Sequence, residues 1–474
     1  MNINTLSKKI GFGLFVLIAL WIMLASPFSP GLDQRGNLML GAVLIALGVW
    51  VLKPFGLPYS MGALFLASFA LIAGLRPATV FSGFAESAVW TLVPALFFGT
   101  VLRKTGLGRN IAFRIIRLFK PSYPSLIAAW FIIGVVLSIF TPSMTVRVAI
   151  MIPIAVQCCE LCGIKKNSKG QSLVMLTAFA MALLPGSGWL TGVLWGPIIQ
   201  GFYNNVSGMA GIINFDSWLS VLLLPMIIIS LLVVVISYFI LRPGTPSERA
   251  LTNAASVPDN TDDTKFSSQA KSAGIILLMV FALFITSGLH GLPAAGICLA
   301  AIIAFFIFRI LTPEDIGTGI SWDMVIYVAM ALSINSIFTE TGISIWLSGI
   351  IVPAVKPIAE SSLVFALVML ALMFAWRFFD IAMFIPTLAI LIPVIPNIQE
   401  AYGINPLLWL PLFVMAGNSF FMNYQNMWAM MGSGMAGERS WQQKHLAVYG
   451  VIYFVICMIV LAVLIPVWLR MGVI

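Results

Sequence analysis

Long apolar stretches alternate with short polar segments along the whole chain. A helix of about 20 apolar residues is long enough to cross a bilayer. The pattern predicts eleven transmembrane helices, near residues 10–25, 38–52, 60–75, 87–102, 171–200, 217–241, 272–289, 293–309, 322–338, 405–432 and 444–470. The predicted fold class is therefore an all-α polytopic membrane protein.

Two further apolar stretches, 124–161 and 361–398, are too long for one span and contain proline and polar residues near their middle. Each is compatible with two crossing helices or with a re-entrant hairpin that enters and leaves on one side. Basic clusters at 103–120 and 165–169 flank the first stretch. Because basic residues favour the cytoplasmic side, both ends of that stretch are predicted on one face. A hairpin and two full crossings both satisfy this condition, whereas a single crossing does not.

Composition supports a membrane location and excludes several other classes. The 474 residues are 61% hydrophobic and only 9% charged, whereas about a quarter of a typical soluble domain is charged. An ordinary cytosolic enzyme, a nucleic-acid-binding protein and a disordered chain are therefore excluded. The net charge of +9 is explained by orientation, since most basic residues fall in segments predicted to face the cytoplasm. We expect a multi-pass protein of the inner (cytoplasmic) membrane with a cytoplasmic N-terminus.

Two segments outside the spans have distinctive composition. Residues 103–120 place basic side chains among apolar ones at helical spacing, which predicts an interfacial helix on the cytoplasmic face. Residues 242–271 are polar and divide the chain almost in half, so they are predicted to be a cytoplasmic linker. The five cysteines give no disulfide framework. A metal site is not expected at the cluster formed by Cys158, Cys159 and Cys162, because neither histidine is near in sequence to serve as a fourth ligand, although Glu160 is adjacent.

The two halves on either side of the linker resemble each other weakly. TVLRKTGL (100–107) matches SIFTETGI (336–343), AIMIPIA (149–155) matches AILIPVI (389–395), and PGSGWLTG (185–192) matches AGNSFFMN (416–423). The order of the matches is the same in both halves. The span assignment gives the halves opposite orientations in the membrane. Inverted repeats of this kind are frequent in secondary transporters, which bind their substrate where the repeats meet.

Proline, glycine and polar residues interrupt the apolar pattern at 140–147, 184–189, 377–380 and 416–419. Non-helical backbone at membrane depth is tolerated only where protein buries it or where it lines a cavity. We therefore predict a central binding site built from these interruptions. The predicted substrate-binding residues are Ser143, Thr145, Arg147, Ser187, Gly188, Asn418 and Ser419. The predicted coupling-ion residues are Ser143, Gly186, Gly417 and Asp380.

Charged side chains at membrane depth are costly and usually mark a pathway or an ion pair. Arg147 has two open interpretations, which are recognition of an anion and extension to the cytoplasmic interface. Arg377 and Asp380 are three residues apart, so they either pair with each other or contact the substrate. Burial would also allow Asp380 to carry a coupling proton.

Three segments resemble the divalent anion:sodium symporter family. They are FSGFAESAVWTLVPALFFGTVLRKTGLGRNIA (81–112), FTPSMTVRVAIMIPIA (140–155) and SWDMVIYVAMALSINSIFTETGI (321–343). The resemblance implies eleven spans, two re-entrant hairpins and two interfacial helices, arranged as a homodimer whose transport domain moves like an elevator against a scaffold domain. It assigns the scaffold to residues 1–123 and 272–360, and the transport domain to residues 124–241 and 361–474.

The family signature Ser-Asn-Thr falls on Ser143, Met144 and Thr145, so methionine replaces the asparagine. The equivalent tip in the second half falls on Met383, Phe384 and Ile385, where the signature is absent unless a shifted register puts Asp380 at the tip. The resemblance implies transport of di- and tricarboxylates or sulfate, often with sodium. The altered signatures leave open both sodium coupling and dicarboxylate specificity.

The function predicted from these observations is secondary active transport of a small anion, coupled to a cation or working as an exchanger. The expected partners are the anionic substrate, the lipid bilayer and a second copy of the chain, with no nucleic acid. No cofactor is expected beyond sodium or a proton as coupling ion. The alternatives are a passive anion channel and, with little support from two histidines and no catalytic motif, a membrane enzyme.

Overall fold

The computed structural model describes residues 3–119, 122–141, 143–243, 266–380 and 384–474, with side chains from Ile10 onward. Every regular element in these ranges is a helix, which confirms the predicted all-α fold class. The first half contains α1 (Ile3–Ala25), α2 (Gln34–Leu52), α3 (Tyr59–Ile72), α4 (Pro77–Val80), α5 (Ser87–Thr105), α6 (Leu107–Ile116), α7 (Tyr123–Phe140), α8 (Met144–Leu161), α9 (Lys169–Leu183), α10 (Trp195–Asn204) and α11 (Phe215–Leu241).

The second half contains a comparable number of helices in the described ranges. It contains α12 (Ser268–Ile285), α13 (Ser287–His290), α14 (Ala294–Ile307), α15 (Pro313–Thr318), α16 (Trp322–Glu340), α17 (Ile343–Val355), α18 (Ser362–Trp376), α19 (Ile385–Leu391), α20 (Ile395–Tyr402), α21 (Trp409–Gly417), α22 (Met427–Ala436) and α23 (Gln443–Met471). Most of the predicted linker, residues 244–265, lies outside the described residues.

Several helices begin where a polar side chain caps their first turn. The first N–H groups of a helix have no partner inside it, and a serine oxygen can accept from one of them. Ser122, Ser143 and Ser168 accept hydrogen bonds from the N–H groups three residues later, at the starts of α7, α8 and α9. Ser143 is thus the capping residue immediately before the second helix in the stretch 124–161.

Helix lengths support the internal repeat. Helices α3 and α14 each have 14 residues, α5 and α16 each have 19, and α10 and α22 each have 10. Gly106 and Gly342 have positive φ values of 66° and 71° and join α5 to α6 and α16 to α17. These glycines are paired in the sequence match between 100–107 and 336–343, because an L side chain disfavours this backbone conformation. The opposite orientation of the halves stays a prediction.

Two sequence boundaries need correction around these joints. The predicted interfacial helix 103–120 is divided, because α5 continues to Thr105 and the separate helix α6 ends at Ile116. Lys120 lies outside the described residues. The sequence pattern also placed no element at 343–355, where α17 forms the repeat counterpart of α6.

Eight helices within the described ranges are long and apolar enough to cross a membrane: α2, α7, α8, α11, α12, α16, α23 and the segment Lys169–Gly188. Four shorter apolar helices occur at Ile10–Ala25, Tyr59–Ile72, Ala294–Ile307 and Pro406–Gly417. The two legs of the stretch 124–161 each have 18 residues. In the stretch 361–398 the second leg is divided into α19, a 3-10 turn and α20. The count of eleven crossings and the choice between hairpins and crossings stay predictions.

Helices of one half pack against helices of the other half. Helix α5 packs against α14, and α16 packs against α3, so each half supplies one long and one short helix to the same interface. Elsewhere α7 and α8 both pack against α9, and α11 packs against α23. Helix α9 lies inside this group, with every residue after Lys169 buried.

The contact between α7 and α9 gives a prediction for stability. A Cβ atom on Gly134 would lie 2.3 Å from the backbone oxygen of Met181, so Gly134→Ala must push the two helices apart. We expect a melting temperature several degrees below that of the parent protein in detergent. Gly349→Ala serves as the matched control, because Gly349 is exposed on α17 and a Cβ atom added there would have no atom within 4 Å. Equal melting temperatures for the two variants would contradict this packing.

Candidate substrate site

Two helices break in the middle of the protein, one in each half. After α9 the chain forms 3-10 turns at Pro185–Gly188 and Leu190–Gly192 before α10 begins. After α21 it runs through an irregular segment and a 3-10 turn at Asn423–Gln425 before α22 begins. Trp189 (φ −132°, ψ 147°) and Met422 (φ −130°, ψ 147°) have nearly the same backbone conformation. The interruptions predicted at 184–189 and 416–419 therefore lie in two breaks that share a local backbone conformation.

The two breaks meet through a direct hydrogen bond. The Asn418 side-chain amide donates to the Ser187 hydroxyl at 2.8 Å, and both residues are fully buried. The Trp218 indole of α11 donates to the Ser187 backbone oxygen at 3.1 Å. Ser187 and Asn418 occupy matching positions in the alignment of 185–192 with 416–423. The halves thus contact each other at residues that the sequence match aligns.

Several buried polar atoms beside this contact have no hydrogen-bond partner within the described residues. They are the Asn418 Oδ1, the Ser419 hydroxyl and the Trp195 Nε1. Buried polar atoms are normally satisfied, so a cluster of unsatisfied ones indicates a place for a bound polar molecule or water. A Cβ atom on Gly417 would lie 3.5 Å from the Trp195 ring, which places this glycine at the same cluster.

Arg147 is held inside the protein wall by backbone oxygens. Its Nε donates to the Ala182 oxygen at 2.6 Å, and its Nη1 donates to the oxygens of Thr141 (2.5 Å) and Gly192 (2.8 Å). The residue is fully buried. A Cβ atom on Gly186 would lie 2.8 Å from Nη2, so this glycine leaves room for the guanidinium. Arg147 therefore ties the end of α7 to both sides of the first break and does not extend to an interface.

Arg377 makes the corresponding contacts in the second half. Its Nη2 donates to the Gln425 oxygen at 2.6 Å, and its Nη1 donates to the backbone oxygen of Asp380. The Thr387 hydroxyl donates to the Asp380 carboxylate. The acceptors Gly192 and Gln425 each end the 3-10 turn of their break. Each half thus fastens its broken helix to the preceding interrupted stretch with one buried arginine, and Asp380 binds within its own stretch.

A cavity of about 460 Å³ lies against the start of α8. Its walls come from α5 and α8 in the first half, the segment 318–324 and the start of α22. Ser143, Met144 and Thr145 line it together, and Thr145 accepts a hydrogen bond from the Trp428 indole at 3.0 Å. A second cavity of about 470 Å³ shares Arg103, Thr145 and Val146 with the first and continues beneath α6.

Arg103 is the basic residue that lines both cavities. Its Nη2 donates to the Thr100 hydroxyl at 3.3 Å, and no carboxylate in the described ranges lies within ion-pair distance of it. The neighbouring Lys104 instead pairs with Asp315 at 2.5 Å. A cation without a carboxylate partner in a cleft is an attractive position for an anion.

The predicted site residues thus form two groups. Ser143 and Thr145 line the cavity, while Ser187, Asn418, Ser419, Gly186, Gly417 and Arg147 belong to the buried region around the two breaks. Gly188 packs against α11, where its Cβ atom would lie 3.3 Å from the Leu223 Cα. Arg103, Trp428 and Gln425 were not identified from the sequence. Met383 lies outside the described residues.

The match to known proteins extends over nearly the entire chain. The family model described as the sodium:sulfate symporter transmembrane region matches residues 8–474. The chain belongs to this family. The family and the relatives below are named as transporters, which confirms the expectation that this multi-pass membrane protein is not an enzyme.

Relatives within and beyond bacteria resemble this symporter-family chain. Dicarboxylate transporter 1, chloroplastic, of Arabidopsis thaliana is 24% identical over 379 residues, covering 76% of this chain and 65% of the relative. The putative malate transporter YflS of Bacillus subtilis (strain 168) is 25% identical over 333 residues, covering 68% of each protein. The chain therefore spans slightly less than two thirds of the plant relative's length. The L-tartrate/succinate antiporter of Escherichia coli (strain K12) is 22% identical over 295 residues, covering 60% of this chain and 59% of the relative.

A solved structure shares the fold of this family member. The YdaH transporter of Alcanivorax borkumensis superimposes with a TM-score of 0.57 at 15% identity, covering 99% of this chain and 98% of that one. The similarity extends through both halves and agrees with an all-α polytopic membrane fold.

The family name implies a sodium ion, but several of the backbone oxygens that could bind one near the breaks already accept hydrogen bonds from arginine. Unwound backbone oxygens are the ligands that broken helices offer to cations. At the first break the oxygens of Thr141, Ala182 and Gly192 already accept from Arg147. At the second break the Gln425 oxygen accepts from Arg377. A sodium ion beside either guanidinium would be repelled by a charge of the same sign.

Proposed function

We propose that the chain is a secondary active transporter of small organic anions that works by exchange and needs no sodium. The observation that carries this proposal is the position of Arg147 and Arg377, whose guanidinium groups bind the backbone oxygens of the two breaks. Two fixed positive charges take the place that mobile coupling cations would have. A permanent charge does not leave with the substrate, so the transport domain without substrate keeps an uncompensated positive charge. We expect such a domain to reorient poorly, so that transport requires an anion to be carried in each direction.

The cavity supports alternating access. Its lining combines Thr100 and Ser321 from segments assigned to the scaffold with Ser143 and Trp428 from segments assigned to the transport domain. A site at such a boundary opens or closes when the two parts slide, as an elevator mechanism requires. The fully buried contact between Ser187 and Asn418 argues against a continuous pore and therefore against a passive channel. Homodimer formation remains an expectation.

Exchange in proteoliposomes tests this function. Labelled malate and labelled phenylacetate are each offered to vesicles that are empty or preloaded with the same unlabelled anion. We expect uptake of at least one anion, requiring internal anion, at equal rates in sodium and in potassium buffer. Uptake into empty vesicles that rises with an inward sodium gradient would replace exchange by sodium symport. Uptake of neither anion in any condition would overturn the proposed function.

A further inference from the structure

The shape and chemistry of the cavity at the start of α8 define its ligand more narrowly than the family does. The cavity volume of about 460 Å³ falls in the range of roughly 300 to 1,000 Å³ that is usual for sites of drug-sized ligands. A four-carbon dicarboxylate would fill only a small part of it. The fit favours a larger molecule.

The lining combines one cation with several hydroxyl groups and a large apolar surface. Arg103 is its one charged side chain, the hydroxyls come from Thr100, Ser143, Thr145, Thr318 and Ser321, and Leu96, Leu194, Met324, Met427 and Trp428 supply most of the apolar surface. Met144 adds to this surface at the position where the family signature has asparagine. A second carboxylate placed against these side chains would lose its hydration without gaining a partner.

The lining offers one positive charge to an anionic group. Arg103 provides a charge that no carboxylate in the described ranges neutralises, and Thr145 uses its oxygen to accept from Trp428. Thr145 makes no other hydrogen bond within the described residues, so its own proton is available for a ligand. The uncapped N–H groups in the first turn of α8 add partial positive charge on the same side.

The apolar part of the lining includes an aromatic ring in a fixed orientation. The Trp428 ring is held by the hydrogen bond to Thr145 and by an edge-to-face contact with Trp195 at 6.2 Å between ring centroids. Two methionines, Met324 and Met427, line the same cavity. Methionine adapts to irregular apolar shapes and contacts aromatic rings favourably.

We propose that the transported substrate is an aromatic monoanion, whose carboxylate binds Arg103 and Thr145 and whose ring packs among Met144, Met324, Met427 and Trp428. This inference rests on the proposed function, since it names the substrate of that transport site. It departs from the dicarboxylates named for the relatives. The second cavity, with Arg109 near the Phe113 ring at 5.4 Å, is not needed for binding.

The test is a competition assay on the purified full-length protein. Binding of phenylacetate, 3-phenylpropionate, succinate and malate is measured by thermal shift, and each is then used to compete with labelled phenylacetate in exchange. We expect the two aromatic monoanions to bind at least tenfold more tightly than either dicarboxylate. Arg103→Met is expected to weaken phenylacetate binding roughly ten- to one hundred-fold, as loss of a charged hydrogen bond does.

Arg109→Gln is the matched control, because it also removes one positive charge but lies outside the first cavity. We expect it to leave phenylacetate affinity within about twofold, which would exclude a general effect of surface charge. Met144→Asn, which restores the family residue, is expected to weaken phenylacetate and strengthen succinate.

The results distinguish the aromatic monoanion as substrate from the more general proposal of anion exchange. Succinate or malate binding as tightly as phenylacetate, or an equal loss for the Arg103 and Arg109 variants, would overturn the aromatic monoanion and leave anion exchange standing. Failure of all four anions to shift melting or to exchange would overturn both. A fold defect in Arg103→Met is recognised by its melting temperature without ligand. In that case phenylacetate binding is measured for Arg103→Lys, which keeps the positive charge.

Discussion

Replacement of Arg147 by methionine is expected to destabilise the protein severely and to abolish exchange. The substitution leaves the oxygens of Thr141, Ala182 and Gly192 without their donor inside the protein. A buried polar group that loses its partner costs about 1 to 3 kcal/mol, so three of them outweigh the relief of removing a buried charge. The measurement is the melting temperature in detergent together with exchange in proteoliposomes.

Two companion variants separate charge from packing at this position. Arg147→Lys keeps the charge but lacks the planar donor geometry, so an intermediate melting temperature is expected. Arg147→Ser leaves space among the three oxygens, and sodium should raise its melting temperature while leaving the parent protein unchanged. A parental melting temperature for Arg147→Met, or stabilisation of the parent protein by sodium, would contradict the role given to the guanidinium.

Replacement of Asn418 by leucine is expected to reduce exchange at least tenfold without loss of membrane insertion. The side chain is fully buried and donates to Ser187 across the meeting point of the halves. Leucine cannot make this hydrogen bond, and it places apolar volume beside the unsatisfied Ser419 hydroxyl. Initial exchange rates are compared at equal amounts of reconstituted protein.

Thr177→Val provides the control for this second prediction. Thr177 makes a buried hydrogen bond with Tyr449 at 3.0 Å between α9 and α23, away from both breaks. Its loss removes a comparable contact between the halves but does not touch the breaks, so exchange should remain near the parental rate. Parental exchange by Asn418→Leu, or an equal loss in both variants, would show that the breaks have no special part in transport.

The sequence predicts much of this architecture because bilayer helices have a strong composition signal. The matches between the halves align Gly106 with Gly342, which both have positive φ, and Ser187 with Asn418, which form a hydrogen bond with each other. These features depend on local backbone conformation or on the repeat, and both are visible in one chain. The hydrophobic pattern did not predict α17. Its residues are as apolar as those of the neighbouring helices, but they do not form a span of their own.

The chemistry of the arginines was much harder to predict. Arg147 binds the backbone oxygen of Gly192, 45 residues later. The amino-acid sequence does not indicate which backbone oxygens will accept hydrogen bonds from a side chain. The sequence also gives no reason to distinguish Arg103 from Lys104. They differ because Asp315, 211 residues away, lies beside the lysine and not beside the arginine. Whether a distant carboxylate neutralises a basic residue depends on how the chain packs. The sequence alone therefore does not identify Arg103 as the cation of the cavity.

The burial of α9 after Lys169 has a consequence for how the protein is made. Segment 169–188 has a mean hydropathy of 1.3, below that of the other seven long helices, and its apolar stretch is entirely buried. Such a segment gains little from lipid alone, because its polar groups are satisfied by neighbouring helices and not by the bilayer. During synthesis it therefore depends on α7 and α8, which leave the ribosome earlier and form part of its surroundings. Its insertion is a cooperative event, completed when α11 and the second half close around it.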